Sequence, residues 1–299
     1  MVCAFFIIFV SAKSFSFQLI IFSFKFMYID THSHIYEEEF REDREAVVQR
    51  AREAGVNYIV LPDIDSESRN RMLDLAARHP EMLFPLAGLH PTSVYENYKT
   101  ELAQVEKALG NHTFYGIGEC GIDLYWDKSY YREQIKAFEH QLGIAKETGL
   151  PVIIHSRDSL EVIFEVLKKH PYTRGILHCF PGNAAEARQA IDMGYLLGIG
   201  GVVTFKKSQM ADTLREIGPA NIVLETDSPF FTQVAAQAID ILFLEFAKRG
   251  VHIHFHQEVN AATQVKAELH RLSMNSCQPA RRCRGKVKRH DVFVTHNAH

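Results

Sequence analysis

Short apolar runs alternate with longer amphipathic stretches through the middle of the chain. The apolar runs predict strands at 28–29, 57–61, 83–89, 114–117, 151–154, 174–177, 195–199 and 221–224. Between them, apolar residues return every three or four positions. That predicts helices at 37–54, 66–78, 101–109, 130–148, 160–169, 183–193 and 209–217. Punctuation agrees with the periods: Gly55, Gly149 and Gly194 stand where helices should stop, and Ser66 and Asn183 stand where helices should be capped. Strict alternation of strand and helix implies parallel βαβ units. Eight rounds imply an α/β protein of the closed (β/α)8 TIM-barrel type, here with an atypical C-terminal end. A doubly wound open sheet is the alternative.

Both ends break this pattern. Residues 1–26 form a hydrophobic, aromatic leader. It has no basic n-region and no small-residue cleavage site, so it is a poor signal peptide. Lys13, Gln18 and several serines interrupt it as a spanning helix. The leader is therefore read as a start-site artefact, with a cytoplasmic protein beginning at Met27 and no membrane partner. Residues 27–250 are assigned to the barrel and 251–299 to an atypical His-rich, basic tail, expected to be disordered. The tail holds His252, His254 and His256, then Arg281, Arg282, Arg284, Lys286, Lys288 and Arg289 against Asp291. Such a tail can touch phosphate backbones or remain a solvated terminus.

Composition narrows the class. With 46% hydrophobic and 23% charged residues the chain is globular rather than disordered or fibrous. A net charge of −3 announces no overall field for nucleic acid. The 5 cysteines include no CxxC pair, which argues against a disulfide framework. The 16 histidines point to metal or acid–base chemistry.

In a β/α barrel the chemistry sits where strands end at the C-terminal face. The first predicted strand runs into Asp30-Thr31-His32-Ser33-His34, and His-x-His in extended chain puts both imidazoles on one face. Gly88-Leu89-His90-Pro91, Gly118-Glu119-Cys120-Gly121, His155-Ser156-Arg157-Asp158, His178-Cys179-Phe180 and Glu225-Thr226-Asp227-Ser228-Pro229 follow later strands. A lone histidine after a strand is commonly a structural, hydrogen-bonded residue. Jointly, His32, His34, Glu119, His155, His178 and Asp227 offer six N/O donors at one barrel end, enough for one or two divalent ions. Cys120 and Cys179 carry no nucleophile apparatus and read as packing residues. Residues 116–121 match GxGxxG, but no helix opens behind them, as a dinucleotide site requires.

Taken in order, these motifs resemble the TatD family of metal-dependent deoxyribonucleases, a branch of the amidohydrolase-like barrels, from about Met27 to Phe231. The resemblance implies phosphodiester hydrolysis on DNA, often as an exonuclease, with the six residues named above as metal ligands and Glu119 able to bridge two ions. It implies that His90 lies at the substrate mouth. On this reading Asp227 accepts the proton of the attacking water, Glu119 sets the spacing of the ions, and His90 and Arg157 contact the phosphate or the leaving oxygen. The metals and nearby Arg157, Lys206 and Lys207 would offset the net negative charge. The imidazole-rich donor set suits Zn²⁺, Mn²⁺ or Co²⁺ on softness, whereas the resemblance implies activity with Mg²⁺.

After Asp227-Ser228-Pro229 the expected Arg-Gly-Lys-type loop and long helical ending are missing. Val234, Ile239, Leu242, Leu244 and Phe246 could form a replacement apolar helix face. Two rival readings follow: a small-molecule amidohydrolase or lactonase on the same barrel, and an inactive barrel with a damaged C-terminus.

Overall fold

A computed structural model of the chain describes residues 28–205 and 208–229. The leader, Lys206, Lys207, the apolar positions from Val234 to Phe246 and the whole tail with its three histidines lie outside the described residues.

Eight parallel strands appear in chain order: β1 (Tyr28–Asp30), β2 (Val56–Leu61), β3 (Leu83–Pro85), β4 (Ile117–Asp123), β5 (Val152–Arg157), β6 (Gly175–Leu177), β7 (Tyr195–Ile199) and β8 (Ile222–Leu224). The helices between them are α1 (Arg44–Glu53), α2 (Ser66–Arg78), α3 (Tyr98–Asn111), α4 (Tyr131–Thr148), α5 (Leu160–Lys169), α6 (Ala184–Asp192) and α7 (Met210–Ile217). Each strand pairs with its successor, in the orders β1-β2-β3 and β4-β5-β6-β7-β8. A parallel bridge between Ala87 and Ile117 joins the two sets, supported by Tyr115 N–H to Pro85 O at 3.0 Å and Gly118 N–H to Ala87 O at 2.9 Å. At the other seam the Thr31 N–H reaches Leu224 O at 3.0 Å and Ser33 bridges Ser228. Strands that neighbour in sequence and close on themselves are the β/α barrel; a doubly wound sheet would reverse its order partway.

The strands are apolar on both faces, as parallel strands covered by helices must be. Ile59, Leu61, Leu83, Val152, Ile154, Leu177 and Leu197 join the main core with the helices. Val60, Leu86, Ile153, Ile176 and Leu196 form a separate inner cluster that plugs the barrel. Side chains two positions further along a strand share the same face. Ile153 is therefore followed by His155, and Ile176 by His178, so the sequence changes from plug to polar mouth within one pleat.

Several element boundaries differ from expectation. The fourth strand is Ile117–Asp123 rather than 114–117, so Glu119 lies within it instead of after it. All seven residues are buried; Gly118, with φ 148°, lies where the register slips, and Gly121, with φ 142°, pairs with His155. A glycine-rich polar strand has neither the alternation nor the apolar run by which strands are recognised. The same fact disposes of GxGxxG as a phosphate loop, since the chain continues as strand. The 37–54 helix divides into a 3-10 turn at Glu38–Phe40 and α1, because Arg44 reaches back to Ile35 O and Glu37 O and Arg71 holds the Glu37 carboxylate. The cap of α2 is Asp65, not Ser66: its carboxylate accepts from Glu67 N–H and Ser68 N–H, while the Ser66 hydroxyl donates to Glu101. The 83–89 strand stops at Pro85, and α3 begins at Tyr98, before the expected Glu101.

Candidate metal centre

The barrel mouth collects donors from five strands around one carboxylate. His32 and His34, two and four residues past β1, present their Nε2 atoms to Glu119 Oε2 at 3.0 and 3.3 Å. On the other side of the same carboxylate, His155 Nδ1 lies 2.8 Å, His90 Nε2 3.4 Å and His178 Nε2 3.8 Å from Glu119 Oε1. Asp227 closes the ring, with Oδ1 at 3.8 Å from His32 and Oδ2 at 3.8 Å from His178. It is the most open of these carboxylates, 15% exposed against 2% for Glu119. All six residues chosen as ligands from the sequence therefore meet in one cluster, and His90 meets it too.

Arg157 turns elsewhere. At the end of β5 its guanidinium lies over the Tyr125 ring, 3.8 Å from the centroid.

A second layer of acids orients the first. Glu225 Oε1 sits 3.1 Å from His178 Nδ1, off hydrogen-bond alignment, and accepts the Cys179 N–H at 2.6 Å. Asp123 Oδ2 takes His155 Nε2 at 2.9 Å. The Tyr36 hydroxyl meets His34 Nδ1 at 2.9 Å and donates to Pro62 O. Asp30 accepts the N–H of His32 and both the N–H and hydroxyl of Thr226, tying the two motif strands together across the seam. Carboxylate–histidine pairs of this kind set the tautomer and raise the basicity of a metal-bound imidazole. Glu225 and Asp30 belong to the sequence motifs as residues without an assigned role, and Asp123 lies two positions beyond Gly118-Glu119-Cys120-Gly121. The available signal was period two, which places Glu225 on the same side as Asp227 and Asp30 on that of His32.

The electrostatics follow from burial and crowding. Burial raises the Glu119 carboxyl, but His32, His90 and His178 outweigh it and hold it well below the ordinary carboxylate range. Burial pushes His32 down to about 4, with His178 adding to the effect. Burial also opposes charge on His178, yet Glu225, Asp227 and Glu119 carry it up to about 10. The two rings stack with centroids 3.4 Å apart, so charge on one opposes charge on the other, and the acids around His178 favour the charge there. Burial lifts both Cys120 and Cys179 away from thiolate, in keeping with a packing role, although the Cys179 sulfur does lie within reach of His178 and Asp227.

The donors suit divalent cations. The His32 and His34 Nε2 atoms approach to 2.9 Å while both face one carboxylate oxygen, a convergence of lone pairs that a cation relieves. Among the described residues four donor groups lie close enough to hold an ion, and two of them share Glu119: His32, His34 and Glu119, and His90, Glu119 and His155. Neutral nitrogen and anionic oxygen donors without thiolate match Zn²⁺, Mn²⁺ or Mg²⁺-type sites.

A barrel with this histidine–carboxylate cluster at its C-terminal mouth defines a metal-dependent hydrolase. The class narrows further by descent. The chain belongs to the family described as TatD related DNase, whose model matches residues 29–276. The match runs past Phe231, where the motifs alone stop resembling the family. The chain is 34% identical over 209 residues to the Bacillus subtilis protein named "Uncharacterized metal-dependent hydrolase YabD", covering 69% of this chain and 82% of that one. It is 32% identical over 196 residues to the Erwinia tasmaniensis "3'-5' ssDNA/RNA exonuclease TatD", covering 64% and 76%. The crystal structure of the TatD homologue YjjV from Escherichia coli superposes with a TM-score of 0.68 at 29% identity, covering 83% of this chain and 95% of that chain. The protein is thus a metal-dependent hydrolase acting on ester bonds. Among the described residues no helix is long and apolar enough to cross a membrane.

Proposed function

We propose that this hydrolase cleaves phosphodiester bonds in DNA, working from a strand end as an exonuclease. The observation that carries the reading is Glu119, whose two oxygens face two separate donor groups. A carboxylate shared in this way suits a pair of ions, the arrangement used for in-line displacement at phosphorus. Relatives named as nucleases support it.

His32, His34, Glu119 and Asp227 would hold one ion, and Glu119, His155 and His178 the other. Bound divalent ions would supply an acidified water near neutral pH and offset the charge that builds on the phosphodiester oxygens. Glu119, kept ionised by its histidines, holds the two donor groups in register. Asp227 is the carboxylate most open to solvent, and its Oδ2 takes the proton of the attacking water. His90 has its Nδ1 pinned by Thr92 N–H at 3.1 Å, so its Nε2 faces the cluster and can meet a phosphate oxygen. Asp123 fixes the ring of His155 by a hydrogen bond, and Glu225 sets a negative charge beside His178.

The test is metal-stripped full-length protein incubated with end-labelled single- and double-stranded DNA plus Mg²⁺, Mn²⁺ or Zn²⁺, with lactones and chromogenic phosphodiesters in parallel. Metal-dependent laddering that Glu119→Ala abolishes is expected. Asp227→Asn should keep much of the metal but slow turnover by about 10²–10⁴-fold. Lactone turnover without DNA cleavage would refute the nuclease reading.

A further inference from the structure

Among the described residues the two most exposed aromatic side chains stand beside the metal centre, and the mechanism above makes no use of them. Trp126 is 69% and Tyr125 53% exposed, on the segment that leaves β4 directly after Asp123. Large aromatics left in water at this level call for a partner. The pair is ordered: the two rings meet edge to face with centroids 4.9 Å apart at 88°. Asp123 Oδ1 accepts both of their backbone N–H groups, at 2.9 and 3.2 Å. The other oxygen of Asp123 holds His155, which in turn touches Glu119 at 2.8 Å. One carboxylate thus anchors the aromatic pair and a metal-cluster histidine together.

Arg157 completes the arrangement. Its guanidinium rests 3.8 Å from the Tyr125 centroid and 5.2 Å from that of Trp126. It sits two residues beyond His155 on β5, and its carbonyl accepts the Leu124 N–H at 2.9 Å. Held over the Tyr125 ring, the cation can offer N–H groups to a phosphate or a base carbonyl.

Resting on the phosphodiester reading, we propose that Tyr125, Trp126 and Arg157 form a stacking platform. It receives an unpaired nucleobase of the strand whose phosphodiester lies at the Glu119 cluster. Aromatic faces beside a cation, continuous with a centre that takes phosphodiesters, match the two parts of a nucleotide. A π-face accepts any base, so the platform selects for single strands over duplex and not for sequence. In a duplex the base faces are covered by their neighbours, and only a terminal or frayed base is free to stack. Arg157 is then a substrate-binding residue through the base plane as well as through charge.

Trp126 is the only tryptophan in the sequence, so its emission reports this spot alone. Full-length protein loaded with Mg²⁺ is titrated with hydrolysis-resistant phosphorothioate oligothymidylate, and with the same backbone lacking bases. Labelled-oligonucleotide anisotropy follows the variants Trp126→Ala and Arg157→Gln. The base-bearing strand should quench Trp126 and bind on the order of tenfold more tightly than the abasic strand, with Trp126→Ala abolishing that ratio while leaving abasic affinity unchanged. Equal responses to the two strands, or no binding of either, would overturn the platform. Cleavage of an ordinary single strand by the same preparation then decides separately whether the nuclease reading survives.

Discussion

Metal loading should expel a proton, and Glu225 should control it. His178 reaches about 10 because Glu225, Asp227 and Glu119 surround it, while the His32 ring stacked on it falls to about 4. At pH 7 the metal-free stack therefore carries one proton on His178. An imidazole must lose its proton before it can bind a metal. Doing so about three pH units below its own value costs about 4 kcal/mol. Apparent metal affinity should then rise with pH about tenfold per unit for this one proton. Asp123 and Glu119 also raise His155 against burial. Replacing Glu225 with Gln removes the strongest charge holding the His178 proton but keeps an acceptor for the Cys179 N–H. Calorimetry of Mn²⁺ binding in buffers of different ionisation enthalpy counts the released protons. At least one is expected at pH 7 for the native protein and fewer for Glu225→Gln, in which only Asp227 and Glu119 still favour the His178 proton. Identical counts in the two proteins, or none in the native one, would refute the argument.

Two further substitutions test the supporting shell. Asp63 and Arg69 are buried together, with Arg69 Nε at 2.5 Å, and the Asp63 carbonyl accepts the Glu119 N–H at 3.0 Å. Asp63→Ala leaves a guanidinium that cannot shed its charge, so urea denaturation should show a loss of about 3–5 kcal/mol; an unchanged midpoint would show that the pair contributes nothing. A Cβ at Gly198 would come within 2.1 Å of Glu225 Oε2, so Gly198→Ala should cost about 1–3 kcal/mol by thermal or chemical melt. The same change should weaken metal binding about 10–100-fold, as loss of an orienting carboxylate does. A full melt with intact metal affinity would mean that Glu225 repositions freely.

Much of this molecule is legible in the chain because the information is local. Alternating apolar runs and amphipathic stretches name a βαβ series without reference to anything distant, and α5 and β7 fall where the periods put them. The polar residues that break each strand at its end, such as His155 after Ile153, reveal the mouth of the barrel, because period two carries the plug directly into the site. The clustering of the histidines proposed as ligands was readable for that reason.

What the tertiary structure decided concerns partners far apart in sequence and boundaries where two forces compete. Glu119 lies inside β4 because neighbouring strands accept a glycine-rich, fully buried segment that local propensity alone would leave as a loop. Asp65 wins the cap of α2 because Glu101, on another helix, takes the Ser66 hydroxyl. The pairing of His178 with Glu225 depends on β6 and β8 converging at one end of the barrel. The Tyr125, Trp126 and Arg157 stack joins two strand ends that lie more than thirty residues apart in the chain. No period within either segment encodes that meeting; the parallel pairing of β4 with β5, which sets Asp123 opposite Arg157, creates it.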